Sequence, residues 1–152
     1  MKTFLENLEM LSLAAGTSGD EAAVKKLIYD EVIGYPDCVA KTDNAGNLIV
    51  SKKGKKAPKN RLMFSAHMDE VGFIITHIDE NGFLKFSNVG GIETAALLGK
   101  RVKVGDSEIS GVIGVVPIHL RRGDDELKMP SKSDLYVDVG ADKKEQIEGI
   151  VS

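Results

Sequence analysis

The stretch Arg61-Leu-Met-Phe-Ser-Ala-His67-Met-Asp69-Glu-Val-Gly72-Phe-Ile-Ile-Thr-His77-Ile-Asp79 decides how the chain is read. Leu62 to Ala66 is a short apolar run, long enough for a buried strand. It stops at His67, and Asp69 follows. A buried strand that ends in metal-capable side chains has the form expected where an α/β sheet presents its chemistry, at the carboxyl end of a strand. A second strand-like run, Val71 to Ile78, starts almost at once. His67 and Asp69 therefore sit on a tight connection between two hydrophobic elements.

Upstream, the pattern predicts helix, helix, strand, strand. Thr3 to Glu6 has capping-box spacing, and Phe4, Leu8, Leu11 and Ala15 share one helical face that ends at Gly16. Ser18 to Glu21 repeats the capping-box pattern. Val24, Leu27, Ile28 and Val32 form the second helix's stripe, which Gly34 and Pro36 stop. Both stripes are expected to pack into a core. Cys38 to Thr42 and Asn47 to Ser51 read as strands flanking the turn cluster Asp43-Asn-Ala-Gly46. The basic run Lys52 to Asn60 holds Gly54 and Pro58 and no aromatic residue, so it reads as a solvated loop tip.

Downstream, glycines become frequent and strands short. Asp79-Glu-Asn81-Gly82 is a hairpin signal, because Asn-Gly supplies the positive φ angles of a tight turn. Phe83 to Ser87 is expected to pair back onto Ile74 to Ile78. Thr94 to Leu98 reads as one helical turn, and Asp142 to Glu148 as a short final helix. Arg101 to Val104, Glu108 to Val116 and Leu135 to Val139 are further strands. Short strands between turn signals suggest a small barrel or sandwich. The character changes near Glu70, which predicts an α/β lobe over residues 1–70 and a β-barrel-like module over 71–152.

Composition narrows the function classes. Hydrophobic residues make up 42% of the 152, enough for a real core. The net charge of −3 gives no reason to expect nucleic acid as a partner. Cys38 is the one cysteine, so an intrachain disulfide and a cysteine-based zinc site are excluded. Glu6 and Glu9 interrupt any signal-peptide core, and no apolar run approaches the roughly 20 residues of a membrane span. A cytoplasmic protein with no membrane partner is expected.

His67 is the candidate metal ligand. A ligating histidine binds through one ring nitrogen while the other donates to a carboxylate or carbonyl. Asp69 is near enough to supply that carboxylate, or to ligate itself. His-x-Asp alone is weak, since a metal site needs several ligands. His77 reads as a strand side chain, and His119 as a strand-end residue before a charged loop. Asp124, Asp125 and Glu126 stand beside Arg121 and Arg122 and read as a solvated or salt-bridged surface. There is no Gly-x-Ser-x-Gly elbow and no Walker-type loop. No convincing pair of carboxylates supports a glycosidase.

Seven segments in order carry a family resemblance: Ala15-Gly-Thr-Ser-Gly-Asp-Glu21, Asp43-Asn-Ala-Gly-Asn-Leu48, Ala66-His67-Met-Asp69-Glu-Val-Gly72-Phe, Val89-Gly-Gly91, Leu98-Gly99-Lys-Arg101-Val, Gly111-Val-Ile-Gly114 and Asp134-Leu-Tyr-Val-Asp138-Val-Gly140. The chain resembles the N-terminal part of co-catalytic metallo-aminopeptidases of the glutamyl aminopeptidase type, some of which are labelled endoglucanase M. The resemblance implies an α/β peptidase domain with a β-barrel-like domain inserted after the His-x-Asp strand. It implies hydrolysis of the N-terminal residue of a peptide substrate by two divalent metals, zinc or cobalt. By position His67 would be a metal ligand, and Asp69 the catalytic-site residue that orients and tunes it. The family's bridging aspartate, paired glutamates, further acidic ligand and second histidine have no counterpart here, so the chain is expected to be a fragment that is inactive alone. It would associate with itself or with a C-terminal half. The competing expectation is a non-catalytic assembly or binding module.

Overall fold

The computed structural model describes residues 2–57, 59–116 and 130–151. The chain divides into two compact units, Met1–Glu70 and Val71–Ser152.

The first unit holds helices α1 (Phe4–Leu13) and α2 (Ala22–Val32) and strands β1 (Cys38–Thr42) and β2 (Leu48–Lys52). The α1 capping box forms: Thr3 N–H donates to Glu6 Oε2 at 2.6 Å, and Glu6 N–H to Thr3 Oγ1 at 3.2 Å. β1 and β2 pair antiparallel from Cys38↔Lys52 to Thr42↔Leu48. Their turn is built on Asp43, whose Oδ1 accepts from the amides of Ala45 at 3.0 Å and Asn47 at 2.9 Å. Gly46 closes it with φ 88°.

Three expectations for this unit fail. Leu62 to Ala66 is not a strand; it is exposed, with Phe64 88% accessible. A strand exists by pairing, and among the described residues β1 and β2 pair only with each other. The α1 stripe is not core, since no α1 residue is buried and Phe4 is 78% accessible. Local capping suffices to start this helix, whereas burial needs an apposed surface. The second capping box does not form: Glu21, not Ser18, stands at the N-cap of α2 with no side-chain cap bond, and the Ser18 hydroxyl is bonded elsewhere. The α2 stripe fares better, with Val24 buried and Leu27, Ile28 and Val32 half-buried.

The second unit is a curled five-stranded antiparallel sheet, a half-barrel. Its strands are β3 (Gly72–Ile78), β4 (Leu84–Val89), β5 (Arg101–Val104), β6 (Ile109–Val115) and β7 (Leu135–Asp138), in spatial order β3-β4-β7-β6-β5. Among the described residues β3 and β5 do not pair, so the barrel-like expectation holds only as an open, curled sheet. The register Ile74↔Ser87 to Ile78↔Leu84 is the expected hairpin. Its connection is longer than a two-residue turn: Gly82 N–H returns to Asp79 O at 3.0 Å, Asp79 Oδ1 accepts from Asn81 and Phe83, and only Gly82 takes a positive φ. The helical turns are short 3₁₀ segments, Thr94–Ala96 and Lys144–Gln146.

Leu84, Val104, Ile113, Leu135 and Val137 of this sheet make the core together with Leu97 and Ile147, which directly follow the two 3₁₀ segments. Phe73 and Phe86 meet edge-on at 4.8 Å. Among the described residues, no helix is long and apolar enough to cross a membrane.

Candidate metal-ligand site

His67 and Asp69 lie in the last residues of the first unit, on an irregular segment held at one point. Glu70 bridges Thr17 in parallel, with Glu70 N–H donating to Gly16 O at 2.7 Å and Ser18 N–H to Glu70 O at 3.3 Å. Gly16 allows this approach: a Cβ there would lie 2.6 Å from Val24 Cγ2 and 3.3 Å from the Met68 carbonyl.

The bridge sets up a chain of polar contacts. Ser18 Oγ donates to Asp69 Oδ2 at 2.5 Å. His67 Nδ1 lies 2.9 Å from the Asp69 carbonyl oxygen and 3.1 Å from Asp69 Oδ1. Carbonyl and carboxylate oxygens only accept, so Nδ1 carries the proton. In the neutral ring Nε2 then holds the lone pair. Among the described residues nothing hydrogen-bonds Nε2, and the His67 side chain is 85% exposed. The Asp69 carboxyl sits below the usual carboxylate value. The Ser18 hydroxyl is the main cause, partial burial opposes it, and the Asp69 amide and His67 add to the lowering.

This is a ring oriented by a carboxylate with its free nitrogen outward, which fits one metal ligand. It does not fit a whole metal site. Among the described residues no three His, Cys, Asp or Glu side chains gather where an ion could be held. His77 is exposed on β3 of the second unit. His119, Asp124, Asp125 and Glu126 lie outside the described residues. Sequence reasoning missed Ser18, which it assigned to the α2 cap; its place in the segment Ala15 to Glu21, itself part of the resemblance, was the available signal. Lys52 Nζ comes within 4.0 Å of the Cys38 sulfur across the β1–β2 ladder.

A family model described as M42 glutamyl aminopeptidase matches residues 46–152. The chain belongs to this family. The lysyl aminopeptidase of Pyrococcus furiosus is 35% identical over 147 residues, which cover 94% of this chain and 41% of that protein. Among solved structures, a TET aminopeptidase from a marine sediment thaumarchaeon matches 95% of this chain and 41% of its own, with TM-score 0.85 and 31% identity. The TET1 peptidase of Pyrococcus horikoshii, which can assemble into a tetrahedron or a large octahedral shell, matches 99% of this chain and 44% of its own, with TM-score 0.82 and 35% identity. The M42 chain described here thus spans about two fifths of the length of these relatives.

Proposed function

We propose that this chain carries the first part of a dinuclear metallo-aminopeptidase that removes N-terminal residues from peptides. In this reading residues 1–70 belong to the α/β peptidase domain, and residues 71–152 to a domain inserted into it. His67 ligates one divalent ion, zinc or cobalt, through Nε2. Asp69 holds the ring by accepting from Nδ1. The family match supports the reaction class, and the observation that carries the site is the His67 ring with Nδ1 engaged and Nε2 outward.

When bound, such a metal pair activates a water and polarises the scissile carbonyl. This chain's share is orientation: the Asp69 carbonyl and carboxylate fix the tautomer and direction of one ligand. A catalytic ion usually takes three protein ligands and an open position. The other donors must come from beyond the described residues, in this chain or another.

The lack of a three-donor group among the described residues favours a second reading, a non-catalytic module kept for assembly or binding. One chimera separates the two. Residues 1–152 replace the matching segment of the Pyrococcus furiosus lysyl aminopeptidase, and release of N-terminal residues is assayed with zinc or cobalt. Metal-dependent turnover that His67→Ala abolishes supports the first reading. A folded chimera without turnover leaves only the second.

A further inference from the structure

We propose that Ser18 is a positioning residue for His67, acting through Asp69. The metal role of His67 rests on the function proposed above; the positioning itself rests on geometry.

The Asp69 carboxylate offers two oxygens, and each has one job. Oδ1 faces His67 Nδ1 at 3.1 Å, and Oδ2 accepts from Ser18 Oγ at 2.5 Å. The torsion that turns a carboxylate plane is broad, so an unpinned aspartate does not keep one edge toward a neighbour. A hydroxyl donating to a carboxylate makes a charge-assisted bond, stronger than a neutral one. With Oδ2 held, Oδ1 stays on the ring.

Ser18 is itself fixed. Its N–H bonds the Glu70 carbonyl, and the chain just before it passes too close to Val24 for any residue but glycine at position 16. The local rule assigns Ser18 to the cap of α2, yet α2 starts without a side-chain cap and the hydroxyl goes to a residue 51 positions away. A local preference given up for a long-range contact marks a place where something other than helix stability is served.

The test uses the full chain, metal-free, with ring-labelled histidine, and reads the two nitrogens of the neutral His67 ring by NMR. In the wild type Nδ1 should show a protonated signal and Nε2 a lone-pair signal, well separated. Ser18→Ala should move the two part of the way toward the averaged values of an unrestrained imidazole, because the Asp69 carbonyl oxygen still lies 2.9 Å from Nδ1. Ser18→Thr, which keeps the hydroxyl, should restore them, and Asp69→Ala should move them furthest. Ring signals unchanged in Ser18→Ala overturn the proposal. So does an averaged pair in the wild type. So does a parallel shift of the Glu70 amide, which would make the effect one of backbone structure. A parallel zinc titration of the chimera described above keeps the two ideas apart: ring signals that follow Ser18, with zinc binding by the chimera unchanged in His67→Ala, support positioning and sink the metal reading alone.

Discussion

Gly82 closes the β3–β4 connection directly against Ala141: a Cβ at position 82 would lie 2.8 Å from the Ala141 Cβ and 3.0 Å from its carbonyl oxygen. Two costs therefore meet in Gly82→Ala. The backbone at φ 82° is left-handed, which costs an ordinary residue roughly 1–2 kcal/mol. The added methyl also overpacks a site with backbone on one side, typically about 1–3 kcal/mol. Gly82→Ala should lose roughly 2–5 kcal/mol in urea unfolding followed at the tyrosines. A loss below about 1 kcal/mol would show that the turn relaxes freely.

The strands of this second unit were legible because their signals are local. Alternating apolar positions in β6 and β7 put Ile113, Leu135 and Val137 inward, and Gly82 and Gly105 stand where the chain reverses with positive φ. The first unit was harder for a physical reason. A stripe on α1 and a run at Leu62 to Ala66 announce that they would bury if something covered them; sequence does not say whether anything does. The candidate site divides the same way. His-x-Asp could be seen, but it gained weight only from the resemblance, and Ser18 was hidden because the capping rule is local while its partner is far along the chain.

The same contrast gives a paired prediction. Leu84 is fully buried in the second unit's core, so Leu84→Ala should cost about 2–5 kcal/mol. Phe64→Ala should stay within about 0.5 kcal/mol, the range of surface substitutions. Leu62, Met63 and Phe64 are exposed together, and large exposed apolar patches drive association. Phe64→Asp should thus shift the sedimentation profile toward monomer while leaving the unfolding midpoint in place. Equal costs for Leu84→Ala and Phe64→Ala, or a wild type that stays monomeric at high concentration, would contradict the exposure of this segment.

Acid should loosen the β1–β2 turn. The Asn47 side-chain amide, with the backbone amides of Asn47, Ala45 and Gly46, holds the Asp43 carboxyl below its ordinary 3.8, against the opposing effect of desolvation. A carboxyl whose folded value is lowered contributes stability above the unfolded value and loses it as pH falls through the folded one. The contribution should be complete above about pH 5 and fade below the ordinary carboxylate value. The Ala45 and Asn47 amide signals should follow that titration, and Asp43→Ala should remove it. An Asp43 titration at or above 3.8 would sink this account.

His67→Ala should change almost nothing in stability, because the ring is 85% exposed and its bonds stay within residues 67–69. The expected effect is within about 0.5 kcal/mol. Metal binding is where the substitution should register. One imidazole with an adjacent carboxylate falls short of the three protein ligands a catalytic ion usually takes, and the described residues supply no others in reach. Zinc or cobalt should therefore bind the 152-residue chain weakly, with its shell completed by water or buffer, and His67→Ala should remove that binding. Aminopeptidase turnover should be absent from the purified chain at any metal concentration. If instead the chain alone releases N-terminal residues in a metal-dependent way, and His67→Ala abolishes it, the missing donors are already present. His119, Asp124, Asp125 and Glu126 would then be the positions to substitute next, because they are the histidine and carboxylates that lie outside the described residues.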